Sequence, residues 1–165
     1  MKKIVWCLWL VLSLPSMALG LERRDGAYYC TVKFAGGISY NNSLQQWHGD
    51  TFQPEGNFVM KLGFRETRKV FGSDSDVYDV AITKEGASGP SYCVIDTEPP
   101  ATPEPPAIDE LGGLSCTVLR GTYEYKFNFN NHRFIKIYTY GYTDGVDNND
   151  NTPAISGGLC TKIQP

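Results

Sequence analysis

Beyond its first twenty residues the chain alternates apolar and polar positions in several runs. Phe58, Met60, Leu62 and Phe64 alternate with Val59, Lys61 and Gly63, and Tyr78, Val80 and Ile82 alternate with Asp79, Ala81 and Thr83. Successive side chains of an extended chain point to opposite faces, so each run predicts a half-buried strand. Tyr28, Cys30, Val32 and Phe34 form a third run, ending at Gly36-Gly37, where a bulge or turn is expected. Short apolar segments over 90–95, 114–119 and 159–163 each carry a cysteine. No capped helical repeat is longer than about three turns. The pattern predicts an all-β fold with little helix and about 8–9 antiparallel strands, as a small barrel or a two-sheet sandwich. Both architectures use the same alternation.

The strongest local feature is a hairpin from Thr122 to Tyr142, with Asn130, Asn131, His132 and Arg133 as its turn. A turn centred between Asn131 and His132 would pair Phe129 with Phe134, Phe127 with Lys136, Tyr125 with Tyr138 and Tyr123 with Tyr140. These eight share one face, nearly all aromatic, and the other face is mixed. Such a face is core or the lining of a groove, and its buried phenols need hydrogen-bond partners. Tyr123, Tyr125, Tyr138 and Tyr140 are therefore candidate lining residues for a small amphipathic ligand, with ordinary packing the plainer expectation. Trp47, in the polar segment Gln45–Asp50, is a further candidate contact, and a core position is its plainer reading.

The beginning of the chain departs from this pattern. Lys2 and Lys3 precede an apolar run over 4–14, then Pro15 and the small-residue sequence Ala18-Leu19-Gly20. Residues 1–20 read as a secretory signal peptide, too short to span a bilayer, which leaves a single β domain over 21–165 with no transmembrane segment after cleavage. The expected compartment is secreted or periplasmic. Four cysteines remain, Cys30, Cys93, Cys116 and Cys160, with no C-x-x-C spacing, which points to two disulfides. Pairing could stay within each half, as 30–93 and 116–160. Adjacent first and last strands would instead favour 30–160 with 93–116. Five of the ten prolines lie between Pro99 and Pro106, so the segment 97–110 is expected to be an exposed connector between two strand-rich halves. A net charge of −3, more negative once the leader lysines are gone, offers no general attraction for nucleic acid.

Candidate chemistry is sparse. The loop 143–153 concentrates Asp144, Asp147, Asn149 and Asn151, oxygen donors suited to calcium, although Thr152, Pro153 and Gly158 break the EF-hand pattern. The same residues favour turns without a metal. His48 and Asp50 would share a face of an extended strand, but no G-x-S-x-G elbow accompanies them. The leading expectation is an exported, non-enzymatic binding module for a small amphipathic ligand or a secreted or envelope protein. The alternatives are an envelope-associated structural domain with a calcium-ordered loop, or a hydrolase using His48 and Asp50.

Overall fold

The alternating runs form strands of one antiparallel sheet in the computed structural model, which describes residues 23–70, 72–95, 102–119 and 121–163. The expected leader lies outside these residues, as does the first part of the proline-rich connector. Ten strands follow in order: β1 (Gly26–Asn41), β2 (Gln46–Phe52), β3 (Phe58–Val70), β4 (Ser73–Lys84), β5 (Ser91–Cys93), β6 (Ala107–Ile108), β7 (Gly113–Val118), β8 (Tyr123–Asn128), β9 (Arg133–Tyr138) and β10 (Ala154–Ile163). The described residues contain no α-helix; a single 3-10 turn covers Tyr142–Asp144.

The sheet runs β5-β4-β3-β1-β10-β9-β8-β7, with β2 added beside β1 and β6 beside β4. This corrects the expected strand count and the sandwich alternative, since all ten strands belong to one sheet. Nor is the ladder closed into a barrel. Among the described residues no ladder joins its two ends: Val94 and Thr117 exchange N–H···O bonds of 2.9 and 2.7 Å as a single bridge, beside the Cys93–Cys116 disulfide. β5 is three residues long, too short to extend that contact into a ladder.

Curling brings one face of the sheet inward. Tyr28, Cys30 and Val32 of β1, Phe58, Met60 and Leu62 of β3, Val80 and Ile82 of β4, and Tyr125, Phe127 and Phe134 of the β8–β9 hairpin form one buried cluster. Contacts cross the interior between strands that are not neighbours: Phe58 meets Phe134 edge-on at 5.0 Å and Tyr125 at 5.5 Å between ring centres. Each fully buried aromatic of this kind contributes roughly 1.5–3 kcal/mol of apolar burial.

Two local departures from the expected pattern matter for the site. In the β8–β9 hairpin Tyr123 pairs with Tyr138, Tyr125 with Lys136 and Phe127 with Phe134, two residues away from the expected register. The turn is 129–132, fixed by Asn128 Oδ1, which accepts the Asn130 and Asn131 N–H groups, and by His132 in a left-handed conformation (φ 59°). A slip of two preserves which side chains share a face, so the aromatic face survives. In β1 a bulge at Lys33 interrupts pairing with β10 between Val32 and Phe34. The extra residue turns Phe34 outward, 57% exposed and lying over Gly157, and brings Ala35 inward opposite Ser156.

Both disulfides form across the sheet: Cys30–Cys160 links Cα partners of β1 and β10, and Cys93–Cys116 links the two free ends. This is the pairing favoured for adjacent first and last strands. Two disulfides belong to an oxidising, extracytoplasmic environment. The sequence separations are 130 and 23, so loop-closure entropy assigns about 5 kcal/mol to the first and about 3.5 kcal/mol to the second. Urea denaturation should therefore show a larger loss of stability for the Cys30→Ala/Cys160→Ala pair than for Cys93→Ala/Cys116→Ala. The reverse order would mean that joining the sheet ends matters more than chain entropy.

Candidate functional site

The two ends of the curled sheet differ. At one end the segment before β1 is tied across to β4 and to the β8–β9 turn. Arg24 N–H donates to the Tyr78 hydroxyl at 3.1 Å, its guanidinium donates to Asn130 Oδ1 at 3.1 Å, and Tyr28 OH donates to Arg24 O at 2.9 Å. At the other end the interior opens into a cleft of about 350 Å³. Its walls include Ala35, Phe52, Glu55, Tyr123, Lys136, Tyr138 and Ser156. The bulge at Lys33 creates this space: without it, Phe34 would occupy the inward position that the methyl group of Ala35 now holds.

Strand register explains how these residues meet. Tyr125, Lys136, Ser156, Ala35 and Phe52 are successive Cα partners across β8, β9, β10, β1 and β2, forming one row across the sheet. The next row toward the opening contains Tyr123, Tyr138 and Ala154. Lys84, at the end of β4, reaches over the Tyr123 ring with Nζ 3.8 Å from its centre, a cation–π contact. Tyr123 and Tyr138 lie ring against ring at 5.0 Å.

The electrostatics of the row are unusual for an interior. Partial burial, reinforced by the charge of Lys84, holds the Lys136 ammonium below the ordinary lysine range, and Glu55 only partly offsets this. Among the described residues Lys136 has no ion-pair partner. Its two neighbours in the row carry hydroxyls, Tyr125 OH and Ser156 Oγ, which are buried without a hydrogen-bond partner among the described residues. Burial pushes the Tyr125 phenol well above its usual range, so it stays protonated and able to donate. An unsatisfied buried hydroxyl ordinarily costs about 1–3 kcal/mol.

The residues singled out from sequence separate into three groups. Tyr123 and Tyr138 line the cleft, and Tyr125 belongs to the core, with its ring against Phe58 and Phe127. Tyr140 is exposed, 56%, outside the cleft lining. Trp47 lies on the β1–β2 ribbon between Tyr40 and Tyr142, and its Nε1 donates to Asp147 Oδ1 at 2.9 Å. Lys136, Ser156, Lys84 and Phe52 were not among the sequence candidates. Only Lys136 carried a signal, as the one lysine on an otherwise aromatic face.

The four candidate calcium ligands are engaged by the chain itself. Asp144 Oδ1 accepts the Val146 N–H at 2.8 Å, and Asp147 holds Trp47. Asn149 bonds both backbone groups of Tyr40, at 2.7 and 2.8 Å, while Asn151 Oδ1 accepts the Tyr138 hydroxyl at 3.1 Å. No group of three or more His, Cys, Asp or Glu side chains is arranged to hold a metal among the described residues. His48 and Asp50 share a face of the exposed ribbon with Ser39 between them. The Ser39 hydroxyl donates to Asp50 Oδ2 at 2.9 Å and lies 3.5 Å from His48 Nε2. That hydrogen bond, with one from Thr51 N–H, lowers the Asp50 carboxyl below its ordinary value. The carboxylate thus engages the hydroxyl rather than the imidazole, unlike a nucleophile–base–acid relay.

Comparison with protein-family models, with curated proteins and with solved structures finds no match to this chain.

Because the Lys136 pKa is lowered, the unfolded chain binds more protons than the folded one between the lowered value and 10.5, the ordinary value. Stability should therefore rise with pH across that window, and Lys136→Met should raise the melting temperature at neutral pH. Ser156→Ala removes a buried unsatisfied hydroxyl and should raise stability by about 1 kcal/mol; a fall in either variant would show that the side chain is structurally satisfied. A chelator should leave the melting temperature unchanged, since the 143–153 loop is held by its own hydrogen bonds. A drop on adding EDTA, restored by calcium, would reassign Asp144, Asp147, Asn149 and Asn151 as ligands.

Proposed function

We propose that the protein is an exported binding module, secreted or periplasmic, which takes a small amphipathic molecule into the open end of its curled sheet. The observation that carries this reading is the cleft itself: aromatic walls at Tyr123, Tyr138 and Phe52 above a floor containing Lys136 and Ser156. Ligand sites combine apolar walls with a few convergent polar groups. Here the polar groups weaken the free fold, since a half-buried lysine and an orphaned hydroxyl are cheaper to replace by apolar side chains. A bound molecule gives them a purpose that packing does not. Tyr123 and Tyr138 carry the ligand contact in this reading; Trp47 and Tyr140 belong to the rim and its surroundings.

The test uses the disulfide-bonded protein and its amide NMR spectrum. Adding 1-naphthylacetate, 1-naphthylacetamide or decanoate should shift the amides of Tyr123, Lys136, Tyr138 and Ala154 for at least one of the three. Ala35→Phe, which fills the cleft, should abolish those shifts. Shifts confined to the outer sheet face at Ile135, Ile155 and Leu159, or unaffected by Ala35→Phe, would overturn the reading, as would no response to any compound.

A further inference from the structure

The ammonium group in the row has an uncommon setting. Tyr125, Lys136 and Ser156 stand side by side on β8, β9 and β10, and the hydroxyls on either side of the lysine are the two buried side-chain oxygens left unpartnered among the described residues. A lone orphaned hydroxyl can be a packing accident. Of the two, Ser156 Oγ lines the cleft with Lys136, its Cα partner, whereas Tyr125 lies in the core; Ser156 and Lys136 thus give the cleft two donor groups with no bonded acceptor among the described residues. Lys84 adds a second positive charge close enough to depress Lys136, and Glu55 is the acidic group facing them. The lining itself carries one charge of each sign, Lys136 and Glu55, and Lys84 beside it tips the local balance positive, although the chain as a whole carries −3.

We infer that Lys136 and Ser156, at the floor of the cleft, form an anion-binding subsite, and that the ligand is a small organic carboxylate whose apolar body lies against Tyr123, Tyr138 and Phe52. This rests on the reading of the cleft as a ligand site and names its ligand class. A carboxylate supplies acceptors to Lys136 and Ser156 and offsets the charge that Lys84 and Lys136 share. The cleft volume, about 350 Å³, lies at the small end of ligand pockets, which suits a body of one or two rings or a short alkyl chain. A cationic or zwitterionic amine would add to the repulsion already present. A neutral molecule would leave Lys136 desolvated and unpaired.

The matched pair 1-naphthylacetate and 1-naphthylacetamide separates charge from shape. Dissociation constants measured by calorimetry on the full disulfide-bonded protein should favour the carboxylate by about tenfold or more, the scale of a charge-assisted hydrogen bond. Lys136→Met should reduce that ratio to near one, and Ser156→Ala should lower it by about threefold or more. Equal binding of both compounds to the unsubstituted protein would overturn the anion subsite and leave the cleft reading standing. A carboxylate preference that survives Lys136→Met would overturn it too, by assigning the charge to another residue. Binding of neither compound would overturn the subsite, and the response to decanoate would then decide whether the cleft reading falls with it.

Discussion

The pairing of the first strand with the last is the contact on which the rest of the structure depends. β1 and β10 run side by side from Ala27 opposite Ile163 to Gly37 opposite Ala154, and this ladder is the main junction between two meanders. One meander is β1 to β5 and the other is β7 to β10. They meet along two seams, β1 with β10 and the end of β5 with β7, and each seam carries a disulfide. The first seam is a long ladder and the second is a single bridge. The covalent links therefore stand where a sheet made from two local meanders would most readily come apart. Backbone approach at the first seam is close enough that a Cβ on Gly158 would lie 1.9 Å from Thr31 O, so the β10 sequence there is restricted to glycine.

The same seam contains the irregularity that makes the cleft. An unbroken β1 would send Phe34 inward and fill the end of the interior. The bulge at Lys33 reverses the facing of the chain beyond it, and the smaller Ala35 takes the inward place. Interiors are close-packed, so one displaced aromatic ring is enough to change a plug into a cavity. The polar row below that cavity is consistent with this, because Lys136 at the same level in an otherwise closed core would be far harder to accommodate. Fold and site are thus linked through one extra residue.

The sequence was most informative where packing is two-sided and least where it is not. Tyr28, Phe58, Met60, Leu62, Val80 and Ile82 are buried on one inward face as their alternation indicates, because a half-buried strand writes its environment into every second residue. The aromatic face of the hairpin also survived a register error, since a shift of two keeps parity. β2 left no such trace: its Gln46–Phe52 stretch is a ribbon edge with most side chains exposed, and nothing in it has to alternate. The Lys33 bulge was equally silent, because a bulge is fixed by the partner strand as much as by its own residue, and the only cue nearby was the downstream Gly36-Gly37. For the site, the tyrosines were readable as a face. Their division into core, cleft and surface depended on where the interior ends, which is a property of the assembled sheet.

The loop rich in Asp and Asn illustrates how a composition signal changes meaning once its neighbours are known. Read alone, its oxygens resemble a cation cage. In the fold they are spread along the rim: Asn149 holds the Tyr40 backbone, Asp147 holds Trp47, and Asn151 holds the Tyr138 hydroxyl. All three side chains bind aromatic residues, two on the ribbon and Tyr138 on the cleft wall, so the loop ties the ribbon and that wall together. Short polar side chains suit that task because they satisfy backbone and hydroxyl groups at turns where regular strand pairing has ended. The Tyr138–Asn151 bond is the point of contact between the two systems. It ties one wall of the cleft to the loop, and through Asn149 and Asp147 to the β1–β2 ribbon that carries Ala35 and Phe52 on the opposite wall. A chain of hydrogen bonds thus runs beside the opening and links its Tyr138 wall to the β1–β2 ribbon.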